Sequence, residues 1–213
     1  MVSAIVKSLL RLNVFEANEI SCCSANDGTS ERLSQETGIT RYENITQLIQ
    51  DKPNLLVILS IMAGITLSRL KKSFPDARNI VRSMPNTPGQ IGTGITGYLF
   101  ANQPSDKDQE TIQQVLSSLG DVKLVKEEID IDRVTAISGS GPAYIFEFTC
   151  ALEEAGMKIG LTPELAKDLA IQTVIGAAKL MEQSDCKPEE LRNRVTSPNG
   201  TTQAALESFT KNQ

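Results

Sequence analysis

The sequence predicts an α/β layer followed by an all-helical second domain, and two features of its hydrophobic pattern predict this fold class. In the first half, short apolar runs alternate with stretches of helical periodicity, as in strands separated by helices. From about Glu127 the short runs stop and long helical patterns take over. The chain has 213 residues, of which 40% are hydrophobic and 22% are charged, which is enough for two modest cores. We therefore predict an α/β domain over residues 1–125 and a helical domain over residues 126–213.

The first half contains helix and strand patterns in alternation, and their order indicates a mostly parallel sheet. The predicted helices are SAIVKSLLRL, a polar segment around Ser30 to Glu36, a segment near Leu67 to Phe74, and Asp106 to Leu119. The predicted strands are EISCCSA, LLVILSIMAG, NIVRSM, GITGYLFA and VKLVK.

Two features of this half do not fit an intact layer. In LLVILSIMAG one predicted strand continues directly into the next at Val57 and Ile58. Two parallel strands, however, need a crossover segment between them. The chain also starts with a helix, whereas an intact fold of this class opens with a strand and a glycine turn.

Helical patterns fill the second half, and turn residues mark where they begin. Pro142 stands where the first helix would start, Thr162 and Pro163 open the second, and Pro188 opens the third. The patterns are PAYIFEFTCALEEAGMKIG, TPELAKDLAIQTVIGAAKLMEQ, PEELRNRV and TTQAALESF.

Composition excludes several classes of protein. No stretch approaches the roughly 18 apolar residues of a membrane span, and the first residues lack the features of a signal peptide, so we expect a cytoplasmic protein. The net charge is −5, without a basic field that would bind nucleic acid. The 4 cysteines lack CxxC spacing and the chain has no histidine, which argues against a disulfide scaffold and a metal site.

Three polar or glycine-rich segments before residue 145 are candidates for binding. Ser24-Ala25-Asn26 follows a predicted strand, where small neutral donors leave room for the 2′-phosphate of a dinucleotide, or it forms a plain loop. SMPNTPGQIGTGITG has a constrained backbone that can approach a ligand closely, or it connects two strands. SGSGPAY either exposes free N–H groups at the start of a helix or supplies a helix cap through Ser140.

The segment TSPNGTT, residues 196–202, is the more specific candidate. It ends at a helix whose first N–H groups lack intrahelical partners, and these donors together form a site for a small anion such as a carboxylate. A threonine cap after a turn would explain the helix, but it leaves most of the donors without a purpose. Because the chain has no histidine, it also lacks the commonest general acid.

Four of these motifs together resemble the pyrroline-5-carboxylate reductase family. SMPNTP, AISGSGPAY followed by EEAGMKIGL, GAAKLM, and VTSPNGTT occur in the order found in that family, and the resemblance covers nearly the whole chain. It implies a Rossmann-like dinucleotide-binding domain for NADPH, with NADH possible, followed by an all-helical dimerisation domain. It further implies reduction of 1-pyrroline-5-carboxylate to L-proline, the last step of proline biosynthesis, by a homodimer or a ring of dimers.

The resemblance assigns cofactor roles to residues of this sequence. Ser24 and Asn26 match contacts to the 2′-phosphate, and Asn44 matches an adenine-side contact. Glu128 matches a substrate-side or cofactor-side contact. The wall around the nicotinamide and its ribose is matched by Met62, Ala63, Gly64, Met84, Asn86, Thr87 and Pro88.

On the substrate side, the resemblance points to the TSPNGTT segment. Gly200, Thr201 and Thr202 match a cradle for the substrate carboxylate, and Ser197 belongs to the same predicted binding segment. The hydroxyl of Thr202 matches the group that bonds the ring nitrogen, so Thr202 is the predicted catalytic residue. If the substrate binds as its protonated iminium, it brings its own proton, and catalysis is mostly orientation.

The sequence also departs from the family. Family members begin with a strand and a G-x-G-x-x motif, carry an AVKP segment with a following helix, and continue past SFTKNQ. We therefore expect that a strand end and crossover, on the order of twenty residues, are absent between Val57 and Ile58 and that the chain joins pieces of a longer protein. In addition, Asn199 stands where the family commonly has Gly.

Two other functions stay open. An imine or β-hydroxyacid reductase of the same architecture would need a catalytic Lys or Asp on the first helix of the second domain, and no suitable pair is identifiable there. A non-catalytic helical dimerisation or ligand-binding protein with a degenerate nucleotide domain would explain the absent glycine loop.

Overall fold

The computed structural model describes residues 2–23, 28–51 and 57–210, and it confirms an α/β layer followed by helices. The strands are β1 Ser21–Cys22, β2 Thr40–Arg41, β3 Val57–Ser60, β4 Asn79–Met84, β5 Gly94–Phe100 and β6 Gly120–Leu124. The helices of the layer are α1 Val2–Arg11, α2 Thr29–Thr37, α3 Ile45–Asp51, α4 Leu67–Ser73, α5 Asp106–Ser117 and α6 Glu128–Val134. The helices that follow are α7 Gly141–Lys158, α8 Pro163–Glu182, α9 Pro188–Arg194 and α10 Thr201–Thr210.

The strands form two separate sheets. One consists of β1 and β2, which are parallel, and the other has the order β3-β4-β5-β6. In the larger sheet β3 and β4 are parallel, as are β5 and β6, while β4 and β5 are antiparallel. The predicted mostly parallel pairing is therefore confirmed, but the layer is divided, because the described residues supply no strand that joins β1 to β3.

The segment LLVILSIMAG contributes one strand to the described structure. Val57–Ser60 pairs residue by residue with Asn79–Arg82, and this register is continuous across Val57 and Ile58. The chain then leaves the sheet through Met62–Gly64 and enters α4, which supplies the crossover to β4. The interpretation of two successive strands is wrong for the described residues, whereas the omission of a segment relative to the family stays a prediction.

Apolar side chains of α1 and α5 fix the position of the larger sheet. Val81 of β4 and Tyr98 of β5 pack against Ile112 and Leu116 of α5 in one buried cluster. A second cluster joins α1 to the end of this layer through residues such as Leu9, Ile5 and Leu119. Because each fully buried side chain of this kind contributes about 1.5–3 kcal/mol, β4 and β5 are held firmly at the centre of the sheet.

Helix α6, which the hydrophobic pattern did not indicate, covers the opposite face of β4 and β5. Side chains alternate along a strand, so Arg82 faces away from the side on which Val81 packs against α5. A Cβ atom at Gly97 would lie 2.9 Å from both Cγ atoms of Val134. Gly97 therefore permits the close approach of α6 to the sheet.

The chain divides into two compact units, Met1–Tyr144 and Ile145–Gln213. The predicted domain boundary between residues 125 and 126 lies earlier in the chain than this division. The difference arises because α6 packs against β4 and β5 and so belongs with the sheet.

The second unit confirms the predicted helices. Thr162 caps α8 by accepting a hydrogen bond from the Leu165 N–H at 3.4 Å. Helices α7 and α8 approach closely at Gly156, where a Cβ atom would lie 3.1 Å from the Cβ of Ala166. In residues 2–23, 28–51 and 57–210, no helix combines the length and apolar character needed to cross a membrane.

Candidate functional site

The carboxyl ends of β3 and β4 bring two predicted cofactor-binding segments to one edge of the sheet. Because the strands are parallel and adjacent, Met62–Gly64 after β3 and Met84–Pro88 at the end of β4 lie at the same edge. The Ser83 hydroxyl donates to the Ser60 carbonyl at 3.0 Å, which ties the two strand ends together. In open α/β sheets this edge is where ligands bind.

The loop after β3 is open to solvent. Met62, Ala63 and Gly64 are all exposed, and Gly64 has a φ of 71°, in the left-handed region that favours glycine. The loop ends at Thr66, whose hydroxyl accepts a hydrogen bond from the Arg69 N–H at 3.3 Å and caps α4. These features leave the apolar side chain of Met62 available to a flat ligand.

The segment after β4 is more rigid. Asn86 is buried, and its Oδ1 accepts a hydrogen bond from the Ile95 N–H at 3.0 Å. A Cβ atom at Gly94 would lie 2.6 Å from the Gly89 nitrogen, so the backbone here is closely packed. Thr87 and Pro88 begin a 3₁₀ helix, Thr87–Ile91, which connects β4 to β5. The interpretation of this glycine-rich segment as a connection between two strands is confirmed, whereas its contact with a ligand stays a prediction, for which the exposed Thr87 is available at the edge.

Glu128 lies at the start of α6 and bonds to one residue next to each of the two segments of this edge. Its Oε1 accepts hydrogen bonds from the Leu67 N–H at 2.7 Å and from Arg82 Nη1 at 3.1 Å. The side chain is 36% exposed, so one side of it is open to solvent. On the same helix, a hydrogen bond from the Arg133 guanidinium lowers the pKa of the Asp130 carboxyl.

Arg82 is a residue near this edge that no motif of the sequence indicated. Its side chain is 2% exposed, and besides Glu128 it binds Asp132 through Nη2 at 2.6 Å. The signal was present in the sequence, because a charged residue in the middle of the strand NIVRSM is rarely buried unless it is paired.

The predicted adenosine-side residues are only partly described. Asn44 stands before α3, and its Oδ1 accepts a hydrogen bond from the Gln47 N–H at 2.9 Å, as in a helix cap. Ser24 and Asn26 lie outside the described residues. Contacts of these three residues with a cofactor stay predictions.

The SGSGPAY segment does not form the free helix start that the sequence suggested. Residues Thr135–Gly139 form a π-helical turn between α6 and α7, in which the Ser140 N–H donates to the Thr135 carbonyl at 2.9 Å. Ser140 has helical φ and ψ, so it is not an N-cap either. Both interpretations are wrong, because the backbone continues as a helix through residues that usually break one. Such π-helical turns are frequent at functional sites.

In the second unit, the predicted substrate-binding residues form a tight turn before α10. The Gly200 N–H donates to the Ser197 carbonyl at 3.0 Å, and a Cβ atom at Gly200 would lie 2.6 Å from Ser197 Oγ. The Ala204 N–H donates to the Gly200 carbonyl at 3.2 Å, which starts the helical ladder. The N–H groups of Thr201 and Thr202 precede this bond, so helix geometry gives them no carbonyl one turn back.

Asn199 occupies the most constrained position of this turn. Its φ is 59°, in the left-handed region that glycine adopts without cost. Its N–H donates to Gln203 Oε1 at 2.8 Å, which fixes the turn against the first turn of α10. Asparagine tolerates this conformation better than most residues, and this explains how the turn forms without a glycine at position 199.

The described residues that were predicted to form the site therefore lie in two groups, one in each unit. The residues predicted to surround the nicotinamide lie with Glu128 at the edge of the sheet, while Ser197, Gly200, Thr201 and Thr202 lie at the start of α10. Within the part of the chain that the structure describes, no group of three or more potential metal ligands lies together.

A protein-family model described as pyrroline-5-carboxylate reductase dimerisation matches residues 128–213. Among curated relatives, the pyrroline-5-carboxylate reductase of Pseudomonas aeruginosa is 47% identical over 162 residues, which cover 76% of this chain and 59% of that protein. The pyrroline-5-carboxylate reductase of Corynebacterium melassecola is 39% identical over 191 residues, covering 90% of this chain and 67% of the relative. The chain thus spans about three fifths of the length of the first of these relatives.

A solved structure resembles the whole described fold. It is the pyrroline carboxylate reductase of Plasmodium falciparum with NADP bound, which is 28% identical and superposes with a TM-score of 0.81. The superposition covers 99% of this chain and 86% of that protein.

Proposed function

The chain belongs to the pyrroline-5-carboxylate reductase family, and from this premise we propose that the protein reduces 1-pyrroline-5-carboxylate to L-proline with NADPH. The observation that carries the proposal is the turn before α10, where Gly200 positions two N–H groups and two threonine hydroxyls at the start of a helix. A substrate with one carboxylate and one ring nitrogen suits this arrangement of donors. Proline biosynthesis is the pathway that this activity would serve.

The edge of the sheet suits a dinucleotide. Exposed Met62 and the glycine turn at Gly64 lie beside the closely packed Met84–Pro88 segment, at the carboxyl ends of adjacent parallel strands. The resemblance to an NADP-bound relative supports NADPH, and NADH is the alternative cofactor. When bound, the cofactor supplies a hydride from C4 of its dihydronicotinamide.

The protein's own residues orient the substrate. The N–H groups of Thr201 and Thr202 hold the carboxylate, and Thr202 Oγ1 fixes the ring nitrogen. The substrate enters as an iminium, so the hydride adds to the carbon of the C=N bond, and the π electrons become the nitrogen lone pair of proline. No proton has to come from a side chain, which agrees with a chain that has no histidine.

We infer a homodimer from the composition of the second unit's surface. Its buried residues among those described are Ala166 and Ala170, which cannot form a core of useful size. Helix α7 leaves Ile145, Phe146 and Phe148 exposed, and apolar surface of this kind marks an interaction site. The large exposed apolar residues of this unit are Ile145, Phe146, Phe148, Met157, Ile159, Leu165, Leu169, Ile175, Leu180, Met181, Val195 and Phe209. We further propose that the dimers assemble into a ring and that the protein is cytoplasmic.

The activity is tested by mixing the protein with NADPH and 1-pyrroline-5-carboxylate and following the near-ultraviolet absorbance of NADPH. We expect consumption of NADPH with formation of one proline per cofactor oxidised. Consumption of NADPH with another cyclic imine, or with the oxo acid that is reduced to a β-hydroxyacid, but not with this substrate, would favour a related reductase. No consumption with any of them would favour a non-catalytic dimerisation or ligand-binding protein.

A further inference from the structure

We propose that Arg82 is the positioning residue of the proposed nicotinamide site, because it holds the two segments of the site in one arrangement through Glu128. The inference rests on the proposed function, since that function gives the two segments their role. Arg82 contacts neither substrate nor cofactor in this proposal and acts through the residues that it binds.

The guanidinium of Arg82 is buried and donates hydrogen bonds to two carboxylates of α6. Nη1 lies 3.1 Å from Glu128 Oε1, and Nη2 lies 2.6 Å from Asp132 Oδ1. The arginine side chain is 2% exposed, whereas those of Glu128 and Asp132 are 36% and 55% exposed. The buried member of the cluster is thus the arginine, and the carboxylates reach it from the surface.

Glu128 connects this cluster to the loop after β3. The same Oε1 that accepts from Arg82 also accepts from the Leu67 N–H at 2.7 Å. Leu67 is the first residue of α4 and follows the Met62–Gly64 loop directly after its cap at Thr66. One carboxylate oxygen therefore fixes the end of the loop that carries Met62.

Arg82 itself connects the cluster to the other segment. It lies two residues before Met84, which ends β4 and leads into Asn86 and Thr87. A movement of Glu128 would shift the Met62–Gly64 loop relative to Met84–Pro88, and the width of the proposed nicotinamide site would change with it. The bonds of Arg82 set that width.

Stability alone does not explain an arginine at this position. A buried ion pair loses in desolvation much of what it gains, and a well-packed apolar residue is often at least as stabilising. In addition, the buried Nε of Arg82 has no hydrogen-bond partner among the residues that the structure describes, an arrangement that costs stability. The planar guanidinium offers donors in fixed directions from separate nitrogens, whereas an apolar side chain has no donor and a lysine carries its donors on one freely rotating nitrogen.

The first test measures hydrogen exchange in the cofactor-free protein and does not depend on the reductase activity. In Arg82→Met, the Leu67 amide should exchange about tenfold faster or more, because Glu128 loses the bond that holds it. Amides of the β5–β6 pairing should change less than about threefold, because the sheet stays folded. Equal acceleration at both places, or none at Leu67, would overturn the proposal.

The second test measures the single-turnover rate constant of NADPH oxidation, which does not depend on the folded fraction. Arg82→Met should lower it about tenfold or more, because small misplacements of reacting groups are costly. Arg82→Lys, which keeps the charge and reaches one carboxylate, should give an intermediate rate constant and serves if Arg82→Met fails to fold.

Arg133→Met is the matched control for both tests. Arg133 lies on the same helix and forms an ion pair with Asp130 at 2.8 Å, but it is 68% exposed and outside the cluster. We expect it to leave both rates within about twofold. If the parent protein oxidises no NADPH, the proposed function fails, and the exchange of Leu67 alone decides the role of Arg82. If the parent is active, a single-turnover rate constant of Arg82→Met within about twofold of the parent value would contradict the positioning role of Arg82.

Discussion

At the scale of single residues, the proposed mechanism depends on the Thr202 hydroxyl. Thr202→Ala should lower kcat/KM for 1-pyrroline-5-carboxylate about tenfold or more, since it removes a positioned hydrogen bond. Thr202→Ser keeps the hydroxyl and should retain much of the activity. The measurement is the initial rate of NADPH oxidation over a range of substrate concentrations. An unchanged kcat/KM in Thr202→Ala would contradict the role of the Thr202 hydroxyl in holding the ring nitrogen.

A second residue-scale prediction concerns the backbone at Asn199, whose φ is 59°. Asn199→Ala should reduce stability by about 1 kcal/mol, because alanine pays the full steric cost of the left-handed conformation. Asn199→Gly should be at least as stable as the parent, since glycine adopts this conformation without that cost. Thermal unfolding of the three proteins at one concentration measures the difference. The idea fails if alanine and glycine give the same midpoint.

At the scale of elements, the start of α5 has a charge arrangement that makes stability depend on pH in a definite direction. The Asp108 N–H donates to Ser105 Oγ at 3.2 Å. The Asp108 carboxylate forms an ion pair with the Arg78 guanidinium. Burial raises the pKa of this carboxyl, but hydrogen bonds from Ser105 and Arg78 outweigh it, so the pKa lies below its ordinary value. The position near a helix N-terminus also favours the negative charge.

The sign of the effect follows from the lowered pKa of Asp108. Its stabilisation is complete above the unfolded pKa of about 3.9 and is lost as the pH falls through the lower folded value. Asp108→Asn should therefore be less stable than the parent at about pH 7, and the difference should shrink at about pH 3. Urea unfolding at both pH values measures it, and a difference that stays constant would exclude this role.

The elements that could be predicted from the sequence are those with strong periodicity or clear boundary residues. NIVRSM and GITGYLFA are β4 and β5, and Pro163 and Pro188 open α8 and α9 as expected. By contrast, β2 has two residues, Thr40 and Arg41, which is too short for an alternating pattern. Helix α6 was missed because its seven residues, EIDIDRV, alternate apolar and charged side chains like a strand.

The same contrast applies to the candidate site. The turn before α10 is a local structure, so its glycine and hydroxyl residues indicated it directly. The cluster around Arg82 joins residues that are 46 and 50 positions apart in sequence, and no local pattern can reveal such a pairing. The π-helical turn was missed because two glycines and a proline ordinarily end a helix.

At the scale of the whole molecule, the apolar surface of the second unit predicts that folding is coupled to association. If the homodimer supplies the missing core, the unfolding midpoint should rise with protein concentration, because mass action favours the dimer. Thermal unfolding over an about hundredfold range of concentration tests this, with light scattering for the mass. A monomer whose midpoint is independent of concentration would refute the inferred dimer.

The division of the strands into two sheets affects how this chain unfolds. The pair β1–β2 has two residues in each strand, and Leu33, Ile39 and Val6 form its own small buried cluster. The larger sheet has its core around Tyr98 and Leu116. Among the described residues the two sheets share no strand, so we expect β1 and β2 to open more readily than the larger sheet. A free energy of unfolding obtained from a two-state fit would therefore describe the larger sheet. It would overestimate the free energy needed to separate β1 and β2 from the rest of the layer.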